Sequence, residues 1–133
     1  YAKLIAETEN VDEKCLFIIE AAALTHDIGI HFCEEKYGNC NGKLQEQEGP
    51  AIAERLLEKL GFEKDISERV QYLIAHHHTY NNINEIDYQI LVEADFLVNI
   101  MEDGLSKEAA LKAYHSIFKT ACGKTICREM FNI

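Results

Sequence analysis

Asp87-Tyr-Gln-Ile-Leu-Val-Glu-Ala-Asp-Phe-Leu-Val-Asn-Ile-Met-Glu102 is the most apolar stretch of this 133-residue chain, and its rhythm decides the fold class. It has no period-two alternation; it reads at the helical period and is stopped by Gly104. One charged residue interrupts the core side. Asp95 has Leu91 and Val98 one turn away on either side, and a carboxylate on such a face needs a partner in the interior. Glu93 is expected to face solvent.

Outward from there, the same period recurs almost everywhere. Residues 1–9 read as the end of a helix closed near Asn10, and a second helix runs from Asp12 to Asp27 with Leu16, Ile19, Ala23 and Leu24 along it. Residues 29–46, with Gly29, Gly38, Asn39, Asn41 and Gly42, show no clear period and are expected to form a mobile loop. A third helix starts near Pro50 and ends at Gly61, a fourth covers Ser67 to His78, and Asp87 to Glu102 is the fifth. Ser106 caps a sixth that runs to Ala121, where Gly123 breaks it before a short terminal turn. The expectation is an all-α bundle of about six helices, one domain over residues 1–133. Helical rhythm is already running at Tyr1, so a further helical segment is expected upstream.

A net charge of −10 argues against a duplex nucleic-acid partner, which needs clustered Lys and Arg. No apolar run approaches the ~20 residues that span a bilayer, and no membrane partner is expected. Five cysteines, Cys15, Cys33, Cys40, Cys122 and Cys127, form no CxxC pair. They read as reduced thiols of a cytoplasmic protein; a zinc site from the last four matches none of the usual spacings.

Three signals carry chemistry. His26-Asp27 follows Ala21-Ala22-Ala23-Leu24, where an apolar helix meets a loop. Neutral imidazole and carboxylate are favoured ligands for divalent metals, although alone the doublet is better explained by an Asp capping the turn at Gly29. Asp95 is the second signal. The third is His76-His77-His78: successive helical residues turn by ~100°, so one or two of them can face a common point, but not all three.

Together, Ala-Leu-Thr-His26-Asp27-Ile-Gly, Glu48-Gly49-Pro50-Ala-Ile-Ala, Ile74-Ala-His-His-His78 and Glu93-Ala94-Asp95-Phe-Leu resemble the HD-domain superfamily over almost the whole chain. The resemblance implies a helical metal-dependent phosphohydrolase acting on a small phosphorylated molecule or nucleotide. It implies His26, Asp27 and Asp95 as ligands of one divalent ion (Mn, Fe, Zn, Mg, Co or Ni), with His26 and Asp27 also catalytic. His77 and His78, with Glu48, would serve a second ion. Lys36 and Lys43 are candidates to neutralise substrate phosphate. Three departures stand out: no His precedes His26, Gln45 stands where two-metal members have a His, and Ile30 stands where nucleotide-cleaving members often have Lys. A two-iron oxygenase and a non-catalytic nucleotide-binding domain are the alternatives.

Overall fold

Capping side chains and glycines divide the chain into eight helices in the computed structural model, which describes residues 1–133. They are α1 (Ala2–Thr8), α2 (Glu13–Thr25), α3 (Ile30–Tyr37), α4 (Gly42–Lys59), α5 (Lys64–Ile74), α6 (Ile86–Glu102), α7 (Lys107–Ser116) and α8 (Ala121–Phe131). The protein is all-α, as expected, with two helices more than the sequence suggests.

Both additions have physical reasons. The segment expected to be a loop contains α3, whose only buried residue is Cys33; a helix with one buried residue has no apolar stripe to read. Gly38, at φ 73°, ends it and returns its N–H to the Glu34 carbonyl at 2.9 Å. Only a short link then precedes α4, which begins at Gly42 and not near Pro50. Asn41 caps it, Oδ1 accepting from the Leu44 N–H at 3.0 Å. Pro50 lies well inside α4, where it removes the N–H that would reach the Glu46 carbonyl. The second addition comes from Thr120. Its hydroxyl accepts from the Gly123 N–H at 2.9 Å and opens α8, so Gly123 sits within a helix instead of breaking one.

By contacts the chain forms two units, Tyr1–Ile19 with Asn82–Ile133, and Glu20–Asn81. In the first, α1 packs on α6 and α8, and α8 also packs on α6 and α7. Its core holds Ile5, Tyr88, Ile90, Leu91, Leu97, Phe118 and Cys127. Burying one such large apolar side chain contributes about 1.5–3 kcal/mol.

Glu93 belongs to this core, contrary to the expectation that it faces solvent. It is 0% exposed. Its Oε1 accepts from Gln89 Nε2 at 2.7 Å, the Lys119 N–H at 2.6 Å and the Thr120 N–H at 2.9 Å, while Oε2 accepts from the Thr120 hydroxyl at 2.5 Å. A Cβ at position 123 would lie 2.0 Å from Oε2, so any side chain there would force this carboxylate to shift.

In the second unit α4 packs along α3 and α5 around Ala22, Cys33, Ala53, Leu57, Val70, Leu73 and Ile74. The turn after α2 comes close to α4 because both contact points are glycines: a Cβ on Gly29 would lie 3.1 Å from the Gly49 backbone. Leu24, placed on the apolar side of α2 by the sequence, is 87% exposed; Ile18, Ile19, Ala21 and Ala22 are buried instead. Glu13–Tyr37 is long and apolar enough to cross a membrane, with mean hydropathy 1.4, which corrects the sequence-based count of apolar runs. A third of its most apolar window is buried in the fold, and the α-helix gives way to turns at His26–Gly29.

Candidate metal centre

The site grows out of two helix ends in the second unit. At the end of α2 the His26 N–H still bonds to the Ala22 carbonyl at 2.8 Å, and the chain then leaves the helix through the Ile28 N–H on Thr25 and the Ile30 N–H on Asp27. Nδ1 of His26 lies 2.9 Å from the Ala23 carbonyl oxygen. A carbonyl only accepts, so Nδ1 carries the proton, and in a neutral ring Nε2 holds the lone pair. That Nε2 stands 3.3 Å from Asp27 Oδ2.

The end of α5 repeats this arrangement. His77 is 0% exposed, and its Nδ1 donates to the Ile74 carbonyl at 2.7 Å. Its Nε2 is buried without a hydrogen-bond partner, and 3.8 Å away is Asp27 Oδ1. The His26 and His77 rings meet edge-on, with centroids 5.2 Å apart. His78 lies against His77 at 4.0 Å between centroids. Each of Asp27, His77 and His78 offers a ligand atom within 4.8 Å of the others. His76 turns away: its Nδ1 bonds to the Tyr72 carbonyl at 2.7 Å and its ring stacks on Tyr72 at 4.1 Å.

Helix α4 supports the His77–His78 turn from below. Glu46 Oε1 accepts from the His78 N–H and the Thr79 hydroxyl, both at 2.9 Å. The His78 ring stands on Gly42, where a Cβ would come within 2.6 Å of its Cγ. Neither Glu46 nor Gly42 carries a sequence signal that would have marked it, because both contacts are made across more than 30 residues.

The electrostatics follow from these tautomers. Neutral His26 and His77 both aim lone pairs at a carboxylate that itself only accepts. Either protons or a cation must occupy such a junction. Protons can do so: the ring nitrogens of His26 first and His77 next hold the Asp27 carboxyl well below the usual carboxylate range, against the upward push of burial. Imidazole nitrogens of His77 and His78 with a half-exposed carboxylate fit a divalent cation, and a backbone carbonyl on the far ring nitrogen of His77 orients it as in metal-ligating histidines.

Glu48 accepts from the Tyr37 hydroxyl, from Gln47 Nε2 at 3.1 Å and from Lys36 Nζ at 3.4 Å. The Tyr37 phenol, then Lys36, holds its carboxyl below the ordinary range. Lys36 is thus directed at Glu48 and lies over the Phe32 and Tyr37 rings, 5.3 and 4.8 Å from their centroids. Lys43 is exposed in the first turn of α4. Asp95 lies on α6 of the first unit, with Oδ2 shut away from solvent. All five cysteines are free; burial raises the Cys33 thiol above its ordinary range and pushes the Cys127 thiol up to about 11.

None of the protein-family models, curated proteins or solved structures compared with this chain matches it.

Proposed function

We propose that the chain is a metal-dependent phosphohydrolase that cleaves a phosphate ester of a small molecule or nucleotide at a cation site built from Asp27, His77 and His78, with His26 beside them. One observation carries this: His77 is fully buried, and its Nε2, without a hydrogen-bond partner, faces a carboxylate oxygen. The HD-domain resemblance picks out these four residues together with Glu48 and Asp95.

When bound, the metal supplies a water of lowered pKa and a positive charge for a phosphoryl oxygen. The protein's own residues do the rest. The Ala23 and Ile74 carbonyls hold both imidazoles with Nε2 towards Asp27, and Glu46 fixes the backbone that carries His78. Half-exposed Asp27 leaves one side of the site open to a substrate. Lys43, exposed in the first turn of α4, is the better placed of the two lysines to meet a phosphate, since Lys36 is already directed at Glu48.

The test is metal analysis of the purified protein, followed by a panel of phosphate esters with added Mn²⁺. Wild type should bind metal and hydrolyse at least one ester, and Asp27→Asn should lose both, because a neutral amide is a poor substitute for a ligating carboxylate. Metal binding without turnover of any ester would favour a non-catalytic binding domain, and oxygen-dependent turnover would favour an oxygenase. Absence of metal binding would overturn the proposal.

A further inference from the structure

Both ring nitrogens of His78 stand near a side chain. Nε2 lies 3.4 Å from Gln45 Oε1, and Nδ1 lies 3.4 Å from the Tyr80 hydroxyl. Gln45 Nε2 donates to the Cys40 carbonyl at 2.7 Å, and this bond decides which end of the amide is oxygen. An amide oxygen only accepts. In a neutral His78 ring the proton is therefore on Nε2, and the lone pair on Nδ1 accepts from the Tyr80 hydroxyl.

The backbone before Tyr80 is pinned on both sides. The Thr79 N–H bonds to the His76 carbonyl at 2.8 Å, and Glu46 accepts from the His78 N–H and the Thr79 hydroxyl, both at 2.9 Å. Tyr80 itself is 43% exposed, so its phenol is a rim group beside a residue of the Asp27–His77–His78 cluster and no part of the core. A neutral imidazole has one lone pair. If His78 gives that pair to a cation, through either nitrogen, the other nitrogen keeps the proton and cannot accept from Tyr80. The phenol proton then has to find another acceptor.

We infer that Tyr80 is a substrate-binding residue of this site, its hydroxyl donating to a phosphoryl oxygen once His78 is committed to a cation. The inference rests on the metal site proposed above. Ionised phosphoryl oxygens accept only, and a hydrogen bond to a charged acceptor is stronger than one between neutral groups. A chain of net charge −10 has few cations to offer such a group, and Lys36 is already directed at Glu48. A hydroxyl donor beside His78 therefore complements Lys43. The same hydroxyl serves His78 when no cation is bound, so Tyr80 adds to phosphate affinity only in the loaded protein.

Tyr80→Phe tests this in the full chain, because it removes the hydroxyl of a part-exposed residue and keeps the ring. Isothermal titration reads Mn²⁺ affinity first, then the affinity of the Mn²⁺-loaded protein for inorganic phosphate. The variant should bind Mn²⁺ at least as tightly as wild type, since a group that competes for the His78 lone pair is gone. It should bind phosphate roughly tenfold or more weakly, the effect of one hydrogen bond to a charged acceptor. Weaker Mn²⁺ binding would assign Tyr80 to orienting His78 and overturn the inference. Unchanged phosphate affinity, or a wild type that takes up Mn²⁺ but no phosphate, also overturns it and leaves the cation site standing. Wild type that binds no Mn²⁺ overturns the metal site and the inference with it.

Discussion

Glu93 and Asp27 are both carboxylates at junctions between chain segments, yet their surroundings are opposite in kind. Glu93 is wholly enclosed and meets only donors: two backbone N–H groups, the Gln89 amide and the Thr120 hydroxyl. Asp27 is half-exposed and meets two imidazoles whose protons point the other way, onto the Ala23 and Ile74 carbonyls. A carboxylate surrounded by donors is finished and holds structure together. A carboxylate surrounded by lone pairs is complete only when protons or a cation arrive, and such a junction suits function better than stability.

Removing Glu93 should therefore cost the most. Glu93→Ala strands the Lys119 and Thr120 N–H groups and the Gln89 amide, and should destabilise by about 3–5 kcal/mol in chemical denaturation. A loss below about 1 kcal/mol would mean that water replaces the carboxylate, and the contrast would collapse. Gly123→Ala sharpens the same point with a smaller loss of about 1–3 kcal/mol, because its Cβ would fall 2.0 Å from Glu93 Oε2.

His77→Leu is the opposite case. It removes a buried Nε2 that has no hydrogen-bond partner, at the cost of the single Nδ1 bond to the Ile74 carbonyl, so stability should fall by only about 1–2 kcal/mol while cation binding is lost. A large loss of stability with binding intact would assign His77 a structural role. Acidity gives the gentlest perturbation. Cation affinity should fall as pH drops from about 8 towards 5, because protons compete with the cation for the ring nitrogens. Asp27, its folded carboxyl held low, stays ionised through that range. Its contribution to stability is present above ~3.9 and is lost only as pH falls further, through its folded value. Isothermal titration at several pH values reads the first effect and acid denaturation the second.

The contrast also explains what the sequence could convey. Helices α2, α5 and α6 were legible because each buries enough apolar residues to set a period, and Asp12 and Ser106 cap helices as their positions suggest. Helix α3 was hidden because only Cys33 is buried in it, and Pro50 misplaced the start of α4 because interior prolines are uncommon. His26, Asp27 and the histidine run stood out as ionisable residues next to apolar helices. Which two histidines turn inward depends on the backbone path after Ile74, and there the register His77–His78 is the one brought to Asp27. The sequence puts Glu93 on the solvent side, and marks Gln45 only as a departure from the two-metal pattern. The donors that enclose Glu93 come from the Lys119–Thr120 turn, and the groups that fix Gln45 come from Cys40 and His78. Pairings between chain segments of this sort leave no local pattern.

The most direct test of the cation site is a long-range ¹H–¹⁵N spectrum of the histidine rings during titration with Zn²⁺ near pH 7. Before metal is added, His26 and His77 should carry a proton on Nδ1. One equivalent of Zn²⁺ should then shift the His77 Nε2 resonance and that of one His78 nitrogen, while His76 and exposed His31 stay where they were. Unmoved His77 and His78 resonances at saturating metal would show that the cluster holds no cation, and the proposed function would fall with it.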